Sequence, residues 1–95
     1  MGKDRQTRLT GRTAIVTGAS SGIGRATALL LASEGAAVCV ADVNETGGTE
    51  TVSLIEASGG RALFVATDVG CGKAIQNVVS ETQAAFGRLD ILHNN

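Results

Sequence analysis

Ninety-five residues, 43% of them apolar, are enough for one small core and leave no room for a second domain. Eight basic against nine acidic residues give a net charge of -1, which argues against nucleic acid or an anionic membrane as partner. There is no run of 18 apolar residues, and the two cysteines, Cys39 and Cys71, fit neither a disulfide framework nor a metal-ligand spacing, so a reduced, cytoplasmic setting is the expectation.

Residues 1–12 are polar, carry Lys3, Arg5, Arg8 and Arg12, and read as a solvated, frayed lead-in without the hydrophobic segment of a signal peptide. Met1-Gly2 begins a myristoylation signal that Gln6 fails to complete. Thr13-Ala14-Ile15-Val16 is a continuous apolar run, as expected of a strand buried on both faces. A helix is predicted from Gly22 through Glu34, its core face supplied by Ile23, Ala26, Leu30 and Leu31, with Gly35 as its cap. Apolar residues nearly surround it, which predicts burial on more than one side.

Ala36 to Ala41 is a second strand ending at Asp42. A second helix is predicted over 45–58 with Val52 and Ile55 inward, its first turns irregular because Gly47 and Gly48 each cost about 1 kcal/mol relative to Ala. The third strand spans Arg61 to Thr67 and leads to Asp68-Val69. Ile75, Val78, Val79, Thr82 and Phe86 recur at helical spacing and define a third helix over 73–86, with Cys71 before its start and Gly87 capping it. Leu89 to His93 is the fourth strand, followed by Asn94-Asn95.

Strand and helix thus alternate three times before a last strand, which predicts a parallel sheet with right-handed crossovers. The fold class is α/β, the first half of a Rossmann-type doubly wound sheet with strand order 3-2-1-4. Two helices would cover one face and only the third the other. The fourth strand would then be an apolar edge, so residues 13–95 read as the N-terminal half of a dinucleotide-binding domain interrupted after strand four.

The chemistry is concentrated where the first strand meets the first helix. In Thr17-Gly18-Ala19-Ser20-Ser21-Gly22-Ile23-Gly24 the glycines let the backbone turn sharply, approach a ligand closely and pack the helix on the sheet. The first helical N–H groups lack intrahelical partners and lie at the positive end of the helix dipole, which suits a pyrophosphate. Gly18, Ser20, Ser21, Gly22, Ile23 and Gly24 are therefore the candidate phosphate-binding residues. Asp42 either closes its strand as a polar residue or accepts hydrogen bonds from the adenosine ribose hydroxyls, and a carboxylate there repels a 2′-phosphate.

From about Leu9 to Asn95 the chain resembles the N-terminal part of the short-chain dehydrogenase/reductase family of NAD(P)-dependent oxidoreductases. The resemblance rests on the glycine spacing of Thr17 to Gly24, on Asp68-Val69, and on His93-Asn94-Asn95, which is similar to the opening of the family's Asn-Asn-Ala-Gly motif. It implies that Asp68 and Val69 hold the adenine ring and that Asn94 serves both sheet and cofactor. Asp68 alternatively caps the following turn. Ser21 and Val43 stand where NADP-preferring relatives often carry Arg or Lys, so NAD is expected and NADP is less favoured.

The resemblance also implies an alcohol or ketone substrate and a homo-oligomeric parent. The family's catalytic Tyr-x-x-x-Lys has no counterpart, since the chain contains no Tyr, and hydride transfer needs a positioned proton donor or acceptor. The chain is therefore expected to bind NAD as the leading piece of a longer oxidoreductase without being one itself. A non-catalytic product that binds nucleotide or a protein partner is the alternative.

Overall fold

The computed structural model describes residues 8–68, 70 and 72–95; Val69 and Cys71, as well as Lys3 and Arg5 of the lead-in, lie outside the described residues. The elements follow in the order β1 (Thr13–Thr17), α1 (Gly22–Ser33), β2 (Ala37–Asp42), α2 (Glu45–Ala57), β3 (Arg61–Ala66), α3 (Gly72–Phe86) and β4 (Ile91–His93). All strands are parallel, in the order β3-β2-β1-β4. This is the α/β architecture expected from the alternation. The register pairs Thr13 with Ala37 and Thr17 with Ala41, so every strand ends at the same edge of the sheet.

Alternation along the central strands divides the core in two. Val16, Val38 and Val40 face α1 and α2, where they meet Ala28, Ala32 and Ile55. Ile15, Cys39, Ala41 and Val65 face α3 and meet Val78. Burying each Val or Ile contributes about 1.5–3 kcal/mol relative to exposure, which explains why these two strands carry no polar alternation. Burial pushes the Cys39 thiol up in pKa, against the lowering effect of a hydrogen bond with Thr82, and Glu81 adds to the upward shift. The protonated thiol packs as a small hydrophobe.

Cover thins toward β4. Leu92 aligns with Ile15 on the α3 side of the sheet, yet it is 52% exposed. The fourth strand is thus the sparsely covered apolar edge that the pattern predicts.

The inward face of α1 differs from the expectation. Ile23 and Leu30 are 75% and 60% exposed, and Ala26 also faces out; the buried positions are Gly24, Ala28 and Ala32, at i, i+4 and i+8. A stripe of small residues lets the helix axis approach the sheet, and the larger Leu29 and Leu31 pack at its flanks. Bulk misleads in such a helix, because the closest contact selects the smallest side chains.

The lead-in differs too. Leu9 packs on the core and donates its N–H to Glu34 O at 2.8 Å, while Arg8 and Arg12 reach Glu34 and Asp90 at 3.9 and 3.6 Å. Residues 8–12 are therefore tied to the fold.

Nor is the start of α2 irregular. Asn44 caps it by accepting the Gly47 N–H at 3.0 Å, and the helix runs regularly through both glycines. These glycines answer to packing: a Cβ at Gly48 would stand 2.2 Å from Cε1 of Phe64. Gly48→Ala should therefore lower stability by about 1–3 kcal/mol through overpacking, although helix propensity alone would raise it by about 1 kcal/mol. Urea unfolding reads the sign, and adding Phe64→Leu should recover part of the loss; a higher midpoint for the single variant would refute the packing account.

Candidate cofactor-binding site

The candidate residues meet at the C-terminal edge of the sheet. Beyond β1, Gly18 extends the ladder by donating to Ala41 O at 2.9 Å, then turns the chain with a φ of +63°. Ala19 and Ser20 are buried, and Ser21 is an extended N-cap whose side chain makes no capping hydrogen bond. The start of α1 thus lacks a side-chain cap, in contrast to the Asn44-capped start of α2, an arrangement chemically suited to an anion.

The glycines divide the labour. A Cβ at residue 24 would lie 2.0 Å from Gly18 O, so only glycine lets the helix press against the turn. Gly22 adopts a φ of +58°, which favours glycine, and the space a Cβ would enter is open, so the lack of a side chain leaves the approach to the helix start clear.

Asp42 joins the turn to the next loop. Its Oδ2 accepts the Ser20 N–H at 3.2 Å and its Oδ1 accepts the Asn44 N–H at 3.0 Å. Burial by itself raises the carboxyl pKa, but the hydrogen bonds donated by Asn44, Ser20 and Val43 outweigh it and hold the group below its ordinary value. The carboxylate stays charged and borders a cleft of about 200 Å³ formed with Gly18, Val43, Thr67 and Asp68.

The remaining candidates are placed less uniformly. Asp68 borders the cleft, and its Oδ1 also accepts the Gly70 N–H at 3.0 Å, so the turn-capping alternative is realised beside the cleft position. Val69 lies outside the described residues. Asn94 stands at the end of β4, its Oδ1 accepting the Thr17 hydroxyl at 2.9 Å, and so ties the central strand to its neighbour. Ile23 sits exposed at the start of α1, near the mouth of the turn.

Three contributors were not singled out from sequence. Asn95 donates its N–H to Thr17 Oγ1 at 2.9 Å, and its Nδ2 would lie 3.0 Å from a Cβ at either Gly18 or Gly24. The second Asn of the pair was the available signal. Buried Thr67 accompanies Asp42 at the cleft, its N–H donated to Asp42 O at 2.9 Å. Gly47, which in sequence reads as a helix breaker, allows α2 to abut the turn: a Cβ there would be 2.9 Å from Ser20 O.

A larger hollow of about 520 Å³ opens at the other end of the sheet, bordered by Ala32, Gly35, Ser58, Gly60 and Arg61. The carbonyl ends of α1 and α2 converge there, which disfavours an anion. Among the described residues no three His, Cys, Asp or Glu side chains are grouped to hold a metal, and no helix is long and apolar enough to cross a membrane.

The parallel sheet, the glycine turn and an open helix start at the strand ends define a doubly wound α/β protein of Rossmann type. The chain belongs to the short chain dehydrogenase family, whose model matches residues 12–95. It is 53% identical over 95 residues to the short chain dehydrogenase/reductase astE of Aspergillus oryzae, an alignment covering 99% of this chain and 36% of that protein.

Among solved structures, a hydroxysteroid dehydrogenase from Escherichia coli superposes with a TM-score of 0.91 at 34% identity, over 97% of this chain and 39% of the other. A metagenomic short-chain oxidoreductase in complex with NADP gives 0.83 at 39% identity, over 90% and 38%. The chain therefore spans under two-fifths of the length of these relatives.

Two outcomes are expected. Gly24→Ala should force the turn and helix apart and abolish nucleotide binding, read by calorimetric titration; wild-type affinity would refute the close-approach argument. Because Asp42 is depressed when folded, its contribution to stability is complete above the ordinary value of 3.8 and is lost as pH falls through its lower folded value. Asp42→Asn should accordingly flatten the acid limb of the urea midpoint measured against pH.

Proposed function

We propose that this chain forms the adenosine- and diphosphate-binding half of an NAD-dependent oxidoreductase that interconverts an alcohol and a ketone. The observation that carries the reading is the pairing of an uncapped helix start with Asp42, whose carboxylate is held by two main-chain N–H groups at the border of the cleft. The residues present fit a dinucleotide: glycines leave room for a diphosphate, the start of α1 offers N–H donors, and Asp42 keeps acceptor capacity for ribose hydroxyls. The dinucleotide, when bound, supplies the hydride acceptor or donor.

The chain's own part is binding and orientation. The turn neutralises the diphosphate through main-chain dipoles, Asp42 reads the ribose, and Val43, Thr67 and Asp68 flank the adenosine side. Proton transfer at the substrate oxygen is assigned to residues outside this sequence, which has no Tyr. Repulsion between Asp42 and a 2′-phosphate favours NAD, even though one structural neighbour was solved with NADP.

Asp42→Ala tests the assignment. Loss of charge-assisted hydrogen bonds to the ribose should lower the ratio of NAD to NADP affinity by about tenfold. Taking the ratio cancels any general loosening of the turn, and an unchanged ratio in parallel titrations would remove Asp42 from cofactor selection.

A further inference from the structure

We infer that Arg25 is a positioning residue for the diphosphate, aiming the main chain of the turn through α2; the inference rests on the nucleotide-binding reading above. Arg25 follows Gly24 on α1, and its side chain is 24% exposed. Its Nη2 donates to Ser20 O at 2.6 Å and to Gly47 O at 3.2 Å, and pairs with Glu50 Oε1 at 2.6 Å. Its Nε donates to Thr51 Oγ1 at 2.9 Å. Thr51, fully buried, donates its hydroxyl to Ala19 O at 2.8 Å, with Gly47 O also near at 3.1 Å.

Two consecutive carbonyls of the turn, Ala19 and Ser20, are therefore drawn toward α2 by one guanidinium and one hydroxyl. In a planar trans peptide the carbonyl and the following N–H point in opposite directions. Holding Ala19 O on Thr51 sends the Ser20 N–H the other way, where Asp42 Oδ2 receives it at 3.2 Å. Holding Ser20 O on Arg25 likewise turns the Ser21 N–H away from α2, toward the open side of the turn where the helix start is uncapped. Gly47 is the complement of this device, since a side chain there would displace Ser20. Without Arg25, the Ser20–Ser21 peptide is free to rotate and present its carbonyl to an anion.

The test compares ADP with adenosine as probes of this chain, titrated while backbone amide resonances are followed by NMR. Arg25→Met should weaken ADP about tenfold, the loss of a charge-assisted hydrogen bond, while adenosine affinity is retained and the ADP-induced shift of the Ser21 amide disappears. Arg25→Lys, keeping charge but not the fork, should restore part of the ADP affinity. Glu50→Gln removes the ion pair and neither carbonyl contact, so both affinities should stay within about twofold. If Arg25→Met does not fold, Arg25→Gln, which keeps a donor for Thr51 but loses the charged fork, carries the test, with the same ADP-selective loss expected.

Equal losses for ADP and adenosine in either variant would reduce Arg25 to a structural brace and overturn the inference, as would unchanged ADP affinity. Wild-type chain that binds neither probe would overturn the nucleotide reading itself.

Discussion

The contact between the first helix and the carbonyl of Gly18 is the constraint on which the site depends. With room for no side chain at residue 24, the helix can start where the strand ends, and its free N–H groups arrive at the sheet edge instead of several ångströms beyond it. The same closeness explains the small buried face of α1. A helix pressed on a sheet at a glycine continues along Ala28 and Ala32, and its larger residues are displaced to the flanks or outward.

Around that contact the turn is restrained from two sides. Asp42 takes an N–H of Ser20 on the β2 side, while Arg25 and Thr51 take the carbonyls of Ser20 and Ala19 on the α2 side. Because each peptide unit is rigid, bonds to one edge orient the other. A short loop without secondary structure of its own is thereby held in one orientation by bonds on both of its sides. The carboxylate of Asp42 both braces the turn and borders the cleft.

Much of this was legible in the chain. The glycine spacing, the apolar runs and the acidic residue closing β2 located the turn and the strand order and named most of the candidate residues that meet at the sheet edge before any coordinates. What remained hidden was long-range and polar. Arg25 looks like an ordinary helical surface residue, and its four partners are spread over residues 20 to 51. Gly47 and Gly48 read as helix breakers, because sequence shows their propensity cost and not the Ser20 and Phe64 atoms that require them. The inward face of α1 was misassigned for a related reason: hydrophobic bulk records what a residue offers for burial, whereas contact distance decides what can be buried.

The sequence by itself determined the alternation of elements, the parallel α/β sheet, the family and the position of the glycine turn, because periodicity and glycine spacing are local properties that survive without a partner. The tertiary structure alone decided which atoms orient the turn, which helix face is buried and how Asn94, Asn95 and Thr17 lock the strand ends together. Those outcomes depend on groups far apart in the chain brought within hydrogen-bond distance, and a distance between such groups exists only once the sheet has formed.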